Sequence, residues 1–384
     1  MKLELLGMEI NIWGLYCAIG ALCSFAAIWA VCAGQEMKKT SAPVLGLTSI
    51  VLGIACSRLL YCLFTTIVQV RIPFSAWISI TDGGWSMTGM VIGVMLAGWI
   101  SAKITGEKPI KMLDAVSVAL PLMIAAERIG ERSLQGFFEE AGEKFNLSRE
   151  VAGSGFMTVV NQDKTYLATY MIAAVLAMVL FLILVFSLLD RKRRDGDIWI
   201  RFLMLCGAFG VIAESLRYDD YLVYSFVRIQ QVLYALMLFA GVILSGRKIA
   251  ARDKRICRAA MIAMIPMIIE CVGLEFSLDR SDANKVILHL VMAGAVAIPV
   301  IQGFVLLRRK KADDEDGVPE GTGSMKAVFL VSVVISVAEV AAMAAEITRI
   351  HSWKDPFLLL SIIPAVFVML IHSLMMIIYK SKEK

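Results

Sequence analysis

Charged side chains inside long apolar stretches are the first candidates for chemistry. A lone ionised group at membrane depth costs roughly 2.5–3.5 kcal/mol on insertion scales and persists where it is paired, solvated or used. In the first two thirds of the chain these groups are Arg58, Asp114, Glu127 with Arg128, Glu131, Glu214 and Arg217. Glu214 and Arg217 stand three residues apart, on one helix face, where they can pair. Arg128 sits where an apolar stretch gives way to a long polar one. A guanidinium there can grip a lipid phosphate through two parallel bonds, which an ammonium does less well. The plainer reading is an arginine that snorkels to the headgroups. Glu131 and Glu214 are candidate proton acceptors by position. Further along, Glu270, Glu275, Glu339 and Glu346 accompany His289 and His372, and Glu339 and Glu346 share a helix face. These later groups read as polar glue between spans, or as a proton or metal path.

Glycines mark one apolar stretch: Gly83 and Gly84 precede it, and Gly89, Gly93 and Gly98 lie within it. Gly89 and Gly93 have small-xxx-small spacing, which lets helices approach closely. A backbone wall beside a lipid is the sharper alternative.

The elements that must position these residues are membrane helices. Hydrophobic residues make up 59% of 384 and charged residues 18%, with a mean hydropathy of +0.75, which excludes a soluble domain of ordinary composition. About eleven stretches reach the roughly 20 apolar residues needed to cross the hydrocarbon. They fall at roughly 12–33, 44–69, 85–104, 110–126, 166–189, 197–216, 228–246, 256–276, 284–307, 326–347 and 356–379. The expected fold is all-α, a polytopic bundle of about eleven transmembrane helices. Basic clusters at Lys38-Lys39, Lys103 to Lys111, Arg191 to Arg194, Arg247 to Arg258, Arg308 to Lys311 and Lys380 to Lys384 fall in every second connection. That pattern places the N-terminus outside and the C-terminus inside, and explains the net charge of +5 without a nucleic-acid partner. The first stretch lacks a basic leader and a small-residue cleavage site, so it reads as a retained span. Eight cysteines, mostly in apolar segments and with no CxxC spacing, argue against a disulfide framework or a zinc site.

Two connections stand out. Ala312 to Ser324 is an acidic linker containing glycine and proline. Glu127 to Thr165 is too polar to span and too long to be an idle turn. Its Phe137, Phe138 and Phe145 among alternating charges suggest interfacial helices at the outer surface. The chain divides into a seven-span domain over 1–250 and a four-helix C-terminal module over 251–384.

Several segments of the first domain match one family in order and spacing. Ile12-Trp13-Gly14-Leu15 looks like an aromatic-Gly-Leu opening of the first span, and Cys56-Ser57-Arg58-Leu59-Leu60-Tyr61 is similar to a G-A-R-x-x-Y segment. Gly84-Trp85-Ser86-Met87-Thr88-Gly89 with Gly93 resembles G-x-S-x-H-G-G-x-x-G. Asp114, Pro121, Arg128, Ile129 and Gly130 follow D-x6-P-x6-R-x-G-N. Gly196-Asp197, Glu214 with Arg217, and Gln231 follow a G-D, an E-x-x-R and a glutamine at the seventh span. Over about residues 11–246 the chain therefore resembles the prolipoprotein diacylglyceryl transferases.

That resemblance implies transfer of a diacylglyceryl group from phosphatidylglycerol to the lipobox cysteine of a preprolipoprotein in the bacterial inner membrane, with no cofactor or metal. It implies Arg128, Arg217 and Glu214 as catalytic residues, to which Glu131 is added by its position alone. Arg58, Tyr61, Trp13, Ser86, Thr88, Gly89 and Gly130 would bind substrate. The partners would be the anionic phospholipid and the signal peptides of preprolipoproteins. The sequence also departs from the pattern: the family's histidine is Thr88, its asparagine after R-x-G is Glu131, and its N-x-E piece reads Leu134-Gln135-Gly136. Those losses suit an alternative, a catalytically silent relative that binds anionic phospholipid as a sensor, carrier or assembly factor.

Overall fold

The computed structural model describes residues 2–5, 8–68, 70–79, 83–190, 193–219, 221–246, 254–280, 282–314, 322–350 and 356–381. Asp220, His351 and the basic positions 191–192, 247–253 and 382–384 lie outside the described residues. Two short strands, β1 (Lys2–Leu5) and β2 (Met8–Asn11), pair antiparallel ahead of the first span. The helices that follow are α1 (Ile12–Gly34), α2 (Ser41–Val68), α3 (Phe74–Ile78), α4 (Met87–Thr105), α5 (Pro109–Gly130) and α6 (Gln135–Glu140). After strands β3 (Leu147–Glu150), β4 (Thr158–Asn161) and β5 (Lys164–Ala168) come α7 (Thr169–Leu188), α8 (Asp197–Ser215) and α9 (Ile229–Gly246). The last four are α10 (Lys254–Arg280), α11 (Lys285–Asp314), α12 (Thr322–Ile350) and α13 (Pro356–Ser381). Among the described residues, eleven helices are long and apolar enough to cross a membrane. The protein is a polytopic, mostly helical membrane protein, and its spans fall close to those expected.

By packing, the chain forms two compact units. The first is Met1–Phe202, Leu216–Tyr224 and Arg228–Tyr234; the second is Leu203–Ser215, Ser225–Val227 and Ala235–Lys384. The division expected near residue 250 follows chain order, whereas packing groups the later parts of α8 and α9 with the C-terminal helices.

In the first unit α2 and α4 meet backbone to backbone. A methyl at Gly89 would lie 2.7 Å from the Cys56 carbonyl oxygen, and one at Gly93 would collide with the Leu52 carbonyl. The small-xxx-small spacing thus serves helix contact. α1 crosses α5 the same way: a methyl at Gly20 would lie 2.7 Å from Ala126 Cβ, and Ser24 donates to the Ala119 carbonyl at 3.0 Å.

α5 also carries Asp114, fully buried, whose carboxylate accepts from the backbone N–H groups of Gly196 (2.7 Å) and Trp199 (2.9 Å). A helix start leaves N–H groups without intrahelical partners, and an anion there is favourable. Asp114 therefore anchors the first turn of α8, reached through Gly196 at a φ of +95°.

The long connection between α5 and α7 departs from expectation. After a 3₁₀ turn (Glu131–Leu134) it holds only the six-residue α6, and then an antiparallel sheet in the order β3-β5-β4. The β4–β5 hairpin turns on Gln162 and Asp163, both at positive φ (49° and 60°), the backbone that a two-residue hairpin favours. Leu147, Tyr166 and Ala168 form one apolar face with Tyr170 and Met171 of α7. Of the aromatics read as interfacial, Phe138 and Phe145 stack on each other at 4.3 Å, whereas Phe137 stays exposed. Strands of four or five residues hold too few side-chain alternations to outweigh the charged pattern around them.

The second unit has its own polar pairs. Glu346 accepts from the Asn284 N–H at 2.8 Å near the start of α11, and His372 meets Gln302 through their side-chain nitrogens. Glu339 packs against Gly294, where a methyl would lie 2.5 Å from its Oε1.

The glycine contacts yield a contrast of sign. Gly93→Ala lowers stability by about 1–3 kcal/mol because a backbone carbonyl cannot yield. Gly34→Ala, with nothing within 4 Å of the new methyl, stays within about 0.5 kcal/mol. Thermal unfolding of both variants in detergent checks this.

Candidate active site

The first unit holds a chain of charged and polar groups that links the C-terminal end of α5, the connection between α5 and α7 and the segment after α8. Arg128, in the last turn of α5, donates from Nη1 to Glu131 Oε1 at 2.5 Å. Asn146 Nδ2 donates to the other oxygen, Glu131 Oε2, also at 2.5 Å. The backbone N–H of Asn146 donates to Asp219 Oδ2 at 2.6 Å. Arg217 then grips Asp219 from Nε at 3.1 Å and from Nη2 at 2.9 and 3.0 Å. Arg228 completes the group, donating to Asp219 Oδ1 at 3.1 Å and to the Arg217 carbonyl at 2.7 Å. Arg128, Glu131, Arg217, Asn146 and Arg228 are all buried.

Local structure explains why these groups converge. Asn146 takes a positive φ of 54°, a conformation asparagine tolerates better than most residues. Its carbonyl accepts from Thr169 N at 3.2 Å, so the residue is fixed between α7 and the loop after α8. The Leu147 carbonyl at the start of β3 accepts from Tyr218 N at 2.9 Å. The small sheet thus clamps the segment that carries Arg217 and Asp219. Burial alone would raise the Asp219 carboxyl, but the Arg217 and Arg228 guanidiniums and the Asn146 N–H outweigh it and hold it below its ordinary range.

Aromatic rings link this chain to a second arginine. The Arg217 guanidinium lies 5.5 Å from the Phe145 ring and 5.2 Å from the Tyr221 ring. Tyr221 stacks on Tyr61 at 5.9 Å and donates its hydroxyl to the Trp85 carbonyl at 2.6 Å. Arg58 sits 5.7 Å from Tyr61 and 5.8 Å from Trp85. Its terminal nitrogens donate to the backbone carbonyls of Gly84 (2.9 Å) and Ala76 (2.6 Å). Arg58 therefore ties the segment between α2 and α4 in place.

The other expected site residues are brought near this region or used for folding. Ser86 caps α4, accepting from Gly89 N at 3.2 Å, and its hydroxyl meets that of Thr88 at 3.0 Å. Trp13 and Gly130 are in contact, a methyl at Gly130 lying 3.3 Å from Trp13 Cδ1. Glu214 is buried one turn before Arg217 and belongs to the second compact unit. Sequence reasoning missed Asn146, Asp219, Tyr221 and Arg228. Arg228 carried a signal: it stands in a connection expected to face outward, where the positive-inside pattern predicts few arginines.

An arrangement of fixed guanidiniums held by carboxylates can stabilise an anion that gains charge, without reorganising as it does so. The protein-family model described as "Prolipoprotein diacylglyceryl transferase" matches residues 1–246. Among similar proteins, the phosphatidylglycerol--prolipoprotein diacylglyceryl transferase of Clostridioides difficile (strain 630) is 25% identical, covering 62% of this chain and 91% of the relative. That of Clostridium novyi (strain NT) is 23% identical over 63% and 92%, and that of Xanthomonas euvesicatoria is 26% identical over 52% and 72%. With its match spanning well over half the sequence, this chain belongs to the prolipoprotein diacylglyceryl transferase family, a family of transferases.

Proposed function

We propose that this protein transfers the diacylglyceryl group of phosphatidylglycerol to the lipobox cysteine thiol of a prolipoprotein, in the bacterial inner membrane. Residues 1–250 form the transferase domain and 251–384 an appended module. With the N-terminus outside, the C-terminal end of α5 and its charged chain lie at the outer leaflet, where a signal peptide presents its cysteine. The reading is carried by one observation: Arg128 and Arg217 lie on a single hydrogen-bonded chain through Glu131, Asn146 and Asp219.

In the reaction the thiol sulfur bonds to the glyceryl carbon and the bond from that carbon to phosphate oxygen breaks. The electron pair leaves with glycerol phosphate, whose second negative charge develops as the bond opens. Arg128 and Arg217 stabilise that charge. Glu131 and Asp219 orient the two guanidiniums, and Tyr61, Trp13 and Gly130 line the approach of the lipid. Ser86, Thr88 and Gly89 act beside it by fixing the start of α4.

Expression of the protein restores lipoprotein modification in a strain depleted of its own transferase. Arg128→Ala and Arg217→Ala each lower transfer at least about 100-fold, in line with the loss of one oriented donor at a charge-developing site. A well-expressed protein that fails to complement removes prolipoproteins as its acceptors and leaves the phospholipid-binding alternative.

Asp219 gives a pH dependence. Its carboxyl is held below the ordinary range in the fold, so its contribution is present above the unfolded value of about 3.9 and disappears as pH falls through the lower folded value. Unfolding in detergent should therefore show a drop in wild-type stability below about pH 4. Asp219→Asn loses that drop and is about 3–5 kcal/mol less stable at neutral pH, because Arg217 and Arg228 lose their shared counter-charge.

A further inference from the structure

The proposed reaction needs a group to take the thiol proton, and two positions beside the charged chain, Thr88 and Glu131, are already committed. Thr88, which stands where the family pattern has histidine, is fully buried with its hydroxyl against Ser86. Glu131 has both carboxylate oxygens committed, one to Arg128 and one to Asn146. Both Glu131 oxygens are thus already used to hold Arg128 and the Asn146 side chain in place.

One turn earlier on α5, Glu127 differs. Its Oε2 is shielded from solvent and accepts no hydrogen bond, with Arg128 Nε 3.5 Å away. Buried polar atoms are nearly always hydrogen-bonded, so an acceptor whose neighbours are an ion-paired guanidinium at 3.5 Å and the Glu131 carboxyl leaves room for a further donor. The charged and titratable groups around it are Arg128 on its own helix, Glu131 of the 3₁₀ turn, Arg217 of the loop after α8 and Cys17 of α1. On α1, one turn before Cys17, Trp13 Nε1 is likewise buried without an acceptor. An acceptor on α5 and a donor on α1, each buried without a hydrogen bond, thus lie on either side of the contact between Gly130 and Trp13.

We infer that Glu127 is the catalytic base for the acceptor thiol. The inference rests on the transferase reading above. In the step, the S–H proton passes to Glu127 Oε2 as sulfur bonds to the glyceryl carbon, and the phosphate oxygen departs with the C–O electron pair. The proton leaves Glu127 for water after the products separate. Placing the base next to Arg128 puts proton removal and leaving-group stabilisation on successive residues of one helix end.

The test uses full-length protein in phosphatidylglycerol vesicles with a lipobox peptide, comparing wild type and Glu127→Gln from pH 6 to 9.5, with phosphatidylglycerol binding measured in parallel. Glu127→Gln binds the lipid as wild type does but transfers about 100-fold more slowly at pH 7. The deficit shrinks toward high pH, where the peptide thiol, with a pKa of about 8.5, ionises without help. Equal rates at pH 7 overturn the inference, as does a deficit that is constant with pH. Loss of both lipid binding and transfer also overturns it, since the carboxylate then serves the fold. A wild-type protein that transfers nothing, beside a working control enzyme, overturns the transferase reading and the inference with it.

Discussion

Buried arginines near a membrane surface are costly, and this protein holds three of them in one place by supplying counter-charges from connections between its spans. Glu131 comes from the turn after α5, and Asp219 from the loop after α8; Asn146 of the long connection between α5 and α7 joins the two. Removing one member of such a network leaves an uncompensated buried charge, which costs about 3–5 kcal/mol. The small β-sheet is therefore part of the site: β3 and the residue before it hold the loop that carries Arg217 and Asp219, together with Arg228 and the Tyr221 hydroxyl.

The fifth helix joins the two ends of the first unit. Near its start Asp114 satisfies the opening N–H groups of α8, and at its end Arg128 enters the charged chain. In between it packs against α1, α4 and α7. The glycine contacts of α2 with α4 and of α1 with α5 remove side-chain bulk from those crossings, and fix where Tyr61, Trp13 and the start of α4 lie relative to Arg128. Arg58, expected to bind substrate, gives its two terminal nitrogens to backbone carbonyls, while its Nε is buried without a hydrogen bond.

The helices were legible because a span must satisfy its own backbone in hydrocarbon and so writes itself as some twenty apolar residues. Arg128, Arg217 and Glu131 were legible for the complementary reason, as charges placed where charge is expensive. Asn146 and Asp219 were not. Each is a polar residue in a polar connection, and its importance comes from a partner far along the chain: Glu131 for the asparagine side chain, Asn146 itself for Asp219. The sheet was hidden because its strands are short and its core, Leu147 with Tyr166 and Tyr170, assembles only once α7 is in place. Phe138 and Phe145 misled by looking amphipathic when their partners were each other and Tyr221.

The account depends on Arg128 and Arg217 sharing one phosphate. Its most direct test is a structure of the protein in phosphatidylglycerol nanodiscs, read at the headgroup. The account predicts phosphate oxygens within about 2.7–2.9 Å of nitrogens from both guanidiniums. A well-ordered headgroup bound by neither arginine, or by only one with the other still turned wholly onto its carboxylate, would contradict it.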